Sequence, residues 1–156
     1  RPEKRDKAPN VTIPVSDEES INLGQPSGAA HVVYFYPRDN TPGCTTESID
    51  FSGLKSKFEA LGVQIIGVSK DSLKSHENFK TKKDLTVTLA SDEAHDACEQ
   101  FGIWVEKNMY GKKFMGIERS TFLILGDGTI SEVWRKVRVK GHAEAVFEAT
   151  ESVLGT

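Results

Sequence analysis

The sequence predicts an α/β fold in which strands and helices alternate along the chain. Residues 31–36 and 63–68 are short, mostly apolar runs, which are typical of strands buried on both faces of a sheet. Residues 45–61 lie between them and carry apolar side chains at helical spacing. A strand, a helix and a strand in this order predict a central β-sheet that is flanked by helices.

The remaining segments continue this alternation. We expect a disordered tail at residues 1–8 and an irregular or hairpin entry at residues 9–23. Patterns farther along predict, in order, a helix at 72–83, a strand at 87–90, a helix at 92–101, a loop at 106–118, strands at 120–125 and 129–137, and a helix at 142–154. Ser91 or Asp92 would cap the helix at 92–101. The loop at 106–118 is long for an ordered loop, so we expect it to be functional. Gly126-Asp127-Gly128 is a hairpin signal between the last two strands, so the sheet is predicted to contain both parallel and antiparallel strands. We expect a single domain at residues 9–156.

Composition narrows the classes of function. The chain has 156 residues and a net charge of −3, which argues against nucleic-acid binding because phosphate recognition needs a basic surplus. Its sequence has no apolar run near the ~18 residues of a membrane span. Two cysteines without a dense disulfide pattern suit a reducing compartment. We therefore expect a cytoplasmic protein, although a chain that does not begin with Met leaves a removed targeting segment open.

Cys44 is the most informative residue. Residues 37–44 read Pro-Arg-Asp-Asn-Thr-Pro-Gly-Cys and follow directly on a predicted strand. Thr41 suits the N-cap of the next helix and Pro42 its first position, where a missing N–H costs nothing. Cys44 then falls in the first helical turn, where free N–H groups and the positive end of the helix dipole favour a thiolate.

The Pro-x-x-x-Thr-x-x-Cys pattern of residues 37–44 resembles the active-site signature of the peroxiredoxins. The longer string at residues 35–47 is similar to the peroxiredoxin Q branch, also called bacterioferritin-comigratory protein. Strings similar to residues 107–112, 116–124 and 141–143 recur in that branch in the same order. The resemblance implies a thioredoxin-like fold for nearly the whole chain.

The resemblance also implies an activity. A peroxiredoxin is a thiol-dependent peroxidase without a cofactor, and here Cys44 would reduce hydrogen peroxide and organic hydroperoxides while it becomes a sulfenic acid. Arg119 matches the family's active-site arginine, whose planar fork can hold both the sulfur and a peroxide oxygen. Thr41 would hydrogen-bond the peroxide, and Pro37 would shield the sulfur from water. The N–H groups of Gly43 and Cys44 would complete the pocket.

Each of these residues also has a plainer interpretation. Cys44 could be a small buried apolar residue, Pro37 a strand end and Arg119 a surface side chain. Glu47 lies in the first helical turn, where the dipole favours an acid in any case, so proton handling by Glu47 is an open alternative. A possible apolar rim for substrate or reductant, with loop anchoring as the equal alternative, consists of Met109, Tyr110, Phe114 and Met115.

Recycling of the oxidised cysteine is where the chain departs from many peroxiredoxin Q members. Ile49 and Lys80 occupy the two positions at which the family commonly carries a resolving cysteine. Cys98 is the other thiol, and it shares a helical face with apolar residues, which favours a core role over resolution. His95 and Cys98 could make half a metal site, but the sequence has no second pair, so no metal is expected.

These observations favour a one-cysteine peroxidase whose partner is an external thiol, namely thioredoxin, glutaredoxin or glutathione. The resemblance implies a monomer. Two alternatives stay open. Cys98 could act as a resolving cysteine, or the chain could be a redox sensor or chaperone-like binding protein that signals through a long-lived sulfenic acid on Cys44.

Overall fold

The computed structural model describes residues 1–155 and contains nine strands and five helices in that range. Residue 156, the last of the predicted domain, lies outside this range. In chain order the elements are β1 (Thr12–Pro14), β2 (Ser20–Asn22), β3 (Ala30–Phe35), α1 (Pro42–Gly53), α2 (Lys55–Ala60), β4 (Val63–Ser69), α3 (Leu73–Lys83), β5 (Thr88–Ser91), α4 (Ala97–Gln100), β6 (Trp104–Met109), β7 (Lys112–Ile117), β8 (Ser120–Leu125), β9 (Ile130–Trp134) and α5 (His142–Leu154).

The central sheet has five strands in the order β5-β4-β3-β8-β9. β3, β4 and β5 are parallel to one another, whereas β8 runs antiparallel to both β3 and β9. The helices between the parallel strands supply the crossovers that parallel pairing needs. The mixed sheet with flanking helices confirms the predicted α/β class.

The two faces of β3 belong to two different cores. Val32 and Tyr34 point into a cluster with aromatic side chains of α1, α2 and α3 and with the apolar face of α5. Val33 and Phe35 point to the opposite side, where the N-terminal hairpin and α4 cover the sheet. Because side chains alternate along a strand, a run that is apolar at every position must be buried on both sides, as all six residues of β3 are.

The predicted helix at residues 45–61 is two helices. α1 ends at Gly53 and α2 begins at Lys55, with Leu54 between them at φ −103° and ψ 2°. The Leu54 N–H group donates to Phe51 O at 3.0 Å, which tightens the last turn of α1. Gly53 is a weak helix former, and this allows the break.

The predicted helix at residues 92–101 is wrong over its first half, since only Ala97–Gln100 is helical. Asp92 is fully buried, and its carboxylate accepts the N–H groups of Ala97 and Cys98 at 2.9 Å each. Lys70 also pairs with this carboxylate at 3.0 Å. The buried carboxylate of Asp92 needs these partners, and making the bonds holds residues 92–96 in an irregular turn although the sequence pattern there is helical.

The predicted loop at residues 106–118 is a β-hairpin instead. β6 and β7 pair antiparallel from Trp104 opposite Ile117 to Met109 opposite Lys112. Tyr110 (φ 53°) and Gly111 (φ 79°) form the two-residue turn, and both have the positive φ that such hairpin turns require. Tyrosine is an unusual residue at the first of these positions, so the turn signal was weak.

Residues 1–8, which we expected to be a disordered tail, lie along the edge strand β9. The Arg5 N–H group donates to Ile130 O at 2.8 Å, the Ile130 N–H group donates to Asp6 O at 2.9 Å, and Ala8 is buried. These bonds satisfy groups that an edge strand would otherwise leave open.

The predicted strands and helices elsewhere are confirmed with small shifts at their ends. Ser72 caps α3 by accepting the Ser75 N–H group at 3.1 Å, and residues 126–128 turn between β8 and β9 as expected. Within residues 1–155, no helix combines the length and the apolar character that crossing a bilayer requires.

Candidate active site

Cys44 lies where β3 leads into α1, at the carboxyl end of the parallel strands, where α/β folds commonly place their sites. The buried residues of α1 are Cys44, Glu47, Ser48 and Phe51, a spacing that puts all four on one helical face. Cys44 therefore points inward and is only 1% exposed. Because it is the third residue of α1, its N–H group and that of Gly43 have no carbonyl partner inside the helix and are available to a ligand.

Thr41 occupies the N-cap position with an extended backbone (φ −92°, ψ 154°), and Pro42 begins the helix, as predicted. The Thr41 hydroxyl makes no capping bond and donates instead to Arg38 O at 2.9 Å. A hydroxyl whose proton is used in this way keeps its lone pairs to accept a hydrogen bond from a ligand. Pro37, half-buried, begins the same loop.

Arg119 meets Cys44 because of the register of the sheet. Ser120, the first residue of β8, lies opposite Phe35, the last residue of β3, so Arg119 stands beside the loop that leads to Cys44. Its Nη2 donates to Cys44 Sγ at 3.3 Å, and its Nη1 donates to Glu47 Oε1 at 2.6 Å. A Cβ atom on Gly43 would lie 3.3 Å from Nη2, so glycine leaves room for the guanidinium.

Burial and charge compete in this cluster. Burial disfavours a charged Arg119, but the carboxylate of Glu47 and the sulfur of Cys44 together raise the pKa of Arg119 above its ordinary value. Burial raises the pKa of Glu47 to about 7, although Arg119 opposes this shift. Glu47 Oε2 is buried without a hydrogen-bond partner among the described residues. Glu47 can therefore exchange a proton near neutral pH inside the site.

Lys107 of β6 is a second cation near the sulfur, and it had no predicted role beyond its place in a matched string. Burial lowers the pKa of Lys107, the nearby Arg119 lowers it further, and the charge of Cys44 opposes both. The charges of Arg119 and Cys44 both act on Lys107, which places the β6–β7 hairpin near the mouth of the site.

The four residues that we expected to form an apolar rim lie at different places on the β6–β7 hairpin. Lys107 lies opposite Phe114 in the register, and Met109 is two residues from Lys107, so these three side chains share one face. Met115 lies on the other face, and Tyr110, 99% exposed, is at the turn. Met109 and Phe114 thus share the face of Lys107, whereas Met115 does not.

Cys98, the alternative resolving residue, is separated from Cys44 by the sheet. Cys44 belongs to the cluster on the side of Tyr34, and Cys98 belongs to the cluster on the side of Phe35. Both cysteines are free. Burial, and then the neighbouring Asp92, raise the pKa of the Cys98 thiol far above its ordinary value. A thiol in this state is a poor nucleophile.

Within residues 1–155, one group has carboxylate and imidazole atoms within 4.8 Å of one another, namely Asp39, Asp71 and His76. These atoms are already hydrogen-bonded. Asp39 Oδ2 accepts His76 Nδ1 at 2.7 Å, and Asp71 Oδ2 accepts the Asp39 N–H group at 2.8 Å. We interpret the group as a buried polar network beside the site, and sequence spacing gave no signal for it because its members are up to 37 residues apart.

Comparison with known proteins places these features in one family. The AhpC/TSA family model matches residues 5–133. Peroxiredoxin Bcp of Xanthomonas campestris pv. campestris is 51% identical over 143 residues, covering 92% of this chain and 89% of the relative. Peroxiredoxin Bcp of Bacillus subtilis is 46% identical over 141 residues, covering 90% of both chains.

Solved structures agree. A structure of the bacterioferritin comigratory protein of Xanthomonas campestris, a protein with alkyl peroxide reduction activity, superposes with a TM-score of 0.81 at 47% identity and covers 86% of each chain. A mutant of peroxiredoxin Q from Xylella fastidiosa superposes with a TM-score of 0.88 at 38% identity, covering 97% of this chain and 96% of that one.

The raised pKa of Glu47 makes stability depend on pH. The folded protein keeps the Glu47 proton up to about pH 7, whereas the unfolded chain loses it near the ordinary pKa of 4.5, so stability falls as the pH rises through this window. Relative to Glu47→Gln, we expect the wild type to lose about 3 kcal/mol between about pH 4.5 and about pH 8, measured by urea unfolding under reducing conditions. Glu148→Gln, at an exposed position of α5, is the control and should leave the wild-type slope unchanged. Parallel curves for the wild type and Glu47→Gln would contradict the assignment.

Proposed function

The chain belongs to the AhpC/TSA family and is a thiol-dependent peroxidase of the peroxiredoxin Q branch with a thioredoxin-like fold, and from this premise we propose that Cys44 is its peroxidatic residue. The observation that carries the proposal is the guanidinium of Arg119, which donates to Cys44 Sγ and to Glu47 Oε1 at the same time. A fixed cation against a buried sulfur favours the thiolate that attacks peroxides.

The first half of the reaction follows from this geometry. The thiolate of Cys44 attacks the terminal oxygen of a hydroperoxide, a sulfur–oxygen bond forms, and the oxygen–oxygen bond breaks. Thr41 accepts a hydrogen bond from the peroxide, and the N–H groups of Gly43 and Cys44 with Arg119 stabilise the negative charge that develops on the departing oxygen. Pro37 limits access of water to the sulfur. The products are a sulfenic acid on Cys44 and an alkoxide or hydroxide that needs a proton.

Glu47 is proposed to supply that proton. Its Oε2 is buried and unpartnered among the described residues, its pKa is raised to about 7, and it is bound to the same guanidinium as the sulfur. A general acid works best when its pKa lies near the working pH. The departing oxygen leaves as water or an alcohol, and Glu47 regains a proton from solvent.

The second half-reaction is proposed to use an external thiol. The thiol attacks the sulfenic sulfur, water leaves, and a mixed disulfide forms, which a second thiol resolves to regenerate Cys44. Cys98 lies across the sheet from Cys44 with a raised pKa, which supports a one-cysteine cycle. Thioredoxin, glutaredoxin and glutathione are the proposed reductants, acting on a cytoplasmic monomer, and the two free cysteines suit such a reducing compartment.

The proposed substrates are hydrogen peroxide and small organic hydroperoxides. The related protein of Xanthomonas campestris has alkyl peroxide reduction activity. In this chain Met109 and Phe114 share the face of Lys107 and supply an apolar surface at the mouth of the site, which would accept the alkyl group.

The central test is turnover of Cys44→Ser and Cys98→Ala. We expect Cys44→Ser to abolish peroxide consumption with every thiol system, because serine is not ionised at neutral pH. Cys98→Ala should keep kcat within about twofold of the wild type, because Cys98 touches no reacting atom. Mass spectrometry after one equivalent of hydrogen peroxide should find one added oxygen on Cys44. An intramolecular Cys44 to Cys98 disulfide would refute the one-cysteine cycle, and turnover that stays negligible with all three reductants would favour the redox-sensor alternative.

Proton supply is tested with Glu47→Gln. Glutamine can still accept the Arg119 bond, so Arg119 stays in place while the acidic proton is lost. We expect the rate constant for oxidation of Cys44 to fall by about 100-fold, a typical general-acid contribution. The wild-type rate should decline above about pH 7 as Glu47 loses its proton, and this limb should be absent in the variant. A variant with the wild-type rate and pH profile would leave Glu47 as a positioning residue only.

The rim is tested with a matched pair of methionines. Met109→Ala should slow reduction of cumene hydroperoxide about fivefold and leave hydrogen peroxide unaffected, since loss of apolar contact costs about 1 kcal/mol with a bulky substrate only. Met115→Ala, on the opposite face of the hairpin, should change neither rate. Equal effects of the two substitutions would remove the rim assignment.

A further inference from the structure

Asp39 is the buried residue of the loop that carries the active site. Arg38 and Asn40 on either side of it are exposed, whereas Asp39 is 6% exposed. Its Oδ1 accepts the Tyr36 hydroxyl at 2.5 Å, and its Oδ2 accepts the Ser75 hydroxyl at 2.7 Å. Its N–H group donates to Asp71 Oδ2 at 2.8 Å. Through one residue the loop is thus bound to the end of β3, to α3 and to the turn after β4.

His76 completes this attachment. Its Nδ1 lies 2.7 Å from Asp39 Oδ2, and its Nε2 lies 3.0 Å from Ala90 O in β5. A carboxylate and a carbonyl can only accept, so both ring nitrogens are placed to donate. Burial alone would raise the pKa of Asp39, but the bonds from His76, Tyr36 and Ser75 outweigh burial and lower it, so the partner is ionised. The two residues form a buried, hydrogen-bonded pair.

Asp39 stands directly before the catalytic groups in the chain. Asn40 follows Asp39 with φ 61°, a left-handed conformation that turns the backbone sharply. Thr41 comes next, and the N–H groups of Gly43 and Cys44 follow within one turn of α1. A shift of Asp39 would move all of these groups relative to Arg119, which is held independently by β8 and whose carbonyl accepts the Val137 N–H group at 3.0 Å.

We propose that the Asp39–His76 pair is a positioning device for the peroxide reaction, which holds Thr41 and the first turn of α1 in register with Arg119 around Cys44. The proposal rests on the peroxidatic role of Cys44. Neither residue touches the sulfur, so each acts through the loop. Misplacement of reacting groups by about 1 Å can cost about 100-fold in rate, so a small loosening of the loop has a measurable effect.

The experiment compares Asp39→Asn, His76→Gln and the double variant with His31→Gln. His31 is a matched control because it is also a buried histidine, but it lies in β3 and is bonded through Nε2 to Leu23 O at 2.7 Å rather than to the loop. Two rates are measured for Cys44 in each protein: oxidation by hydrogen peroxide, which needs the aligned groups, and alkylation by iodoacetamide, which needs an accessible thiolate but not the aligned peroxide donors. Thermal unfolding gives the loss of stability.

We expect each single variant of the pair to slow peroxide oxidation by about 10-fold to 100-fold while alkylation stays within about threefold. The double variant should be no slower than the slower single variant, because the two residues act as one unit. His31→Gln should lower the unfolding temperature and leave both rates unchanged. Asp39→Asn or His76→Gln with unchanged peroxide rates, or with equal losses in both rates, would overturn the proposal.

A spectroscopic measurement on the wild type does not depend on any variant folding. Ring ¹⁵N spectra under the assay conditions should show both nitrogens of His76 carrying protons, and a neutral His76 ring would overturn the proposal. The wild-type assay distinguishes the peroxidatic role of Cys44 from the positioning role of Asp39 and His76. Absence of peroxide consumption by the wild type refutes the role of Cys44 itself, whereas an active wild type with an equally active Asp39→Asn variant refutes only the positioning role.

Discussion

The contact of one guanidinium with a sulfur and a carboxylate is the interaction on which the rest of the site depends. Arg119 can reach Cys44 because β8 runs antiparallel beside β3 and begins where β3 ends. The same register brings Glu47 within reach, since it lies one helical turn after Cys44 on the buried face of α1. A buried charge is costly without a partner. The pairing of β3 with β8 places the charge of Arg119 beside its two partners on α1, Cys44 and Glu47.

The charges of Cys44, Glu47 and Arg119 sum to zero both before and after the oxidation step. Before the reaction, a thiolate on Cys44 and a protonated Glu47 together offset the single positive charge of Arg119. After the reaction, the sulfenic acid is neutral, and the carboxylate that has released its proton offsets Arg119 instead. The buried cluster is therefore neutral at both ends of the step, and the proton moves as the sulfur loses its charge. A pKa of Glu47 near 7, raised by burial and held back by Arg119, is what such an exchange requires. Lys107, at the hairpin, stands outside this balance and faces the mouth of the site.

Local patterns predicted much of this, and their failures have a common cause. The strands at the centre of the sheet and the helices α3 and α5 follow from periodicity, and the placing of Thr41 and Cys44 at the start of α1 follows from a motif with strict spacing. Arg119 came only from the resemblance to the peroxiredoxins, since it lies 75 residues from Cys44. The first half of the predicted helix at 92–101 was lost to the buried pairing of Asp92 with Lys70, and the hairpin at 104–117 was hidden by an unusual turn residue. Asp39 and His76 are 37 positions apart, so only the folded chain brings them together. Sequence patterns identify groups that act locally, whereas buried polar partners are set by tertiary contact.

The two halves of the catalytic cycle place opposite demands on the loop before α1. Peroxide is small and can react with a sulfur that is 1% exposed, provided that the surrounding donors are rigidly placed. A thiol carried by a protein must reach the oxidised sulfur along a line of attack, so the first turn of α1 has to open for recycling. With Cys98 on the other side of the sheet, no internal thiol relieves the chain of this step. The bonds of Asp39 that hold the loop closed for the first half-reaction must therefore be strong enough to align Thr41 with Arg119, yet few enough for the loop to release the sulfur afterwards. A loop anchored through one buried side chain, with exposed neighbours on both sides, meets both conditions.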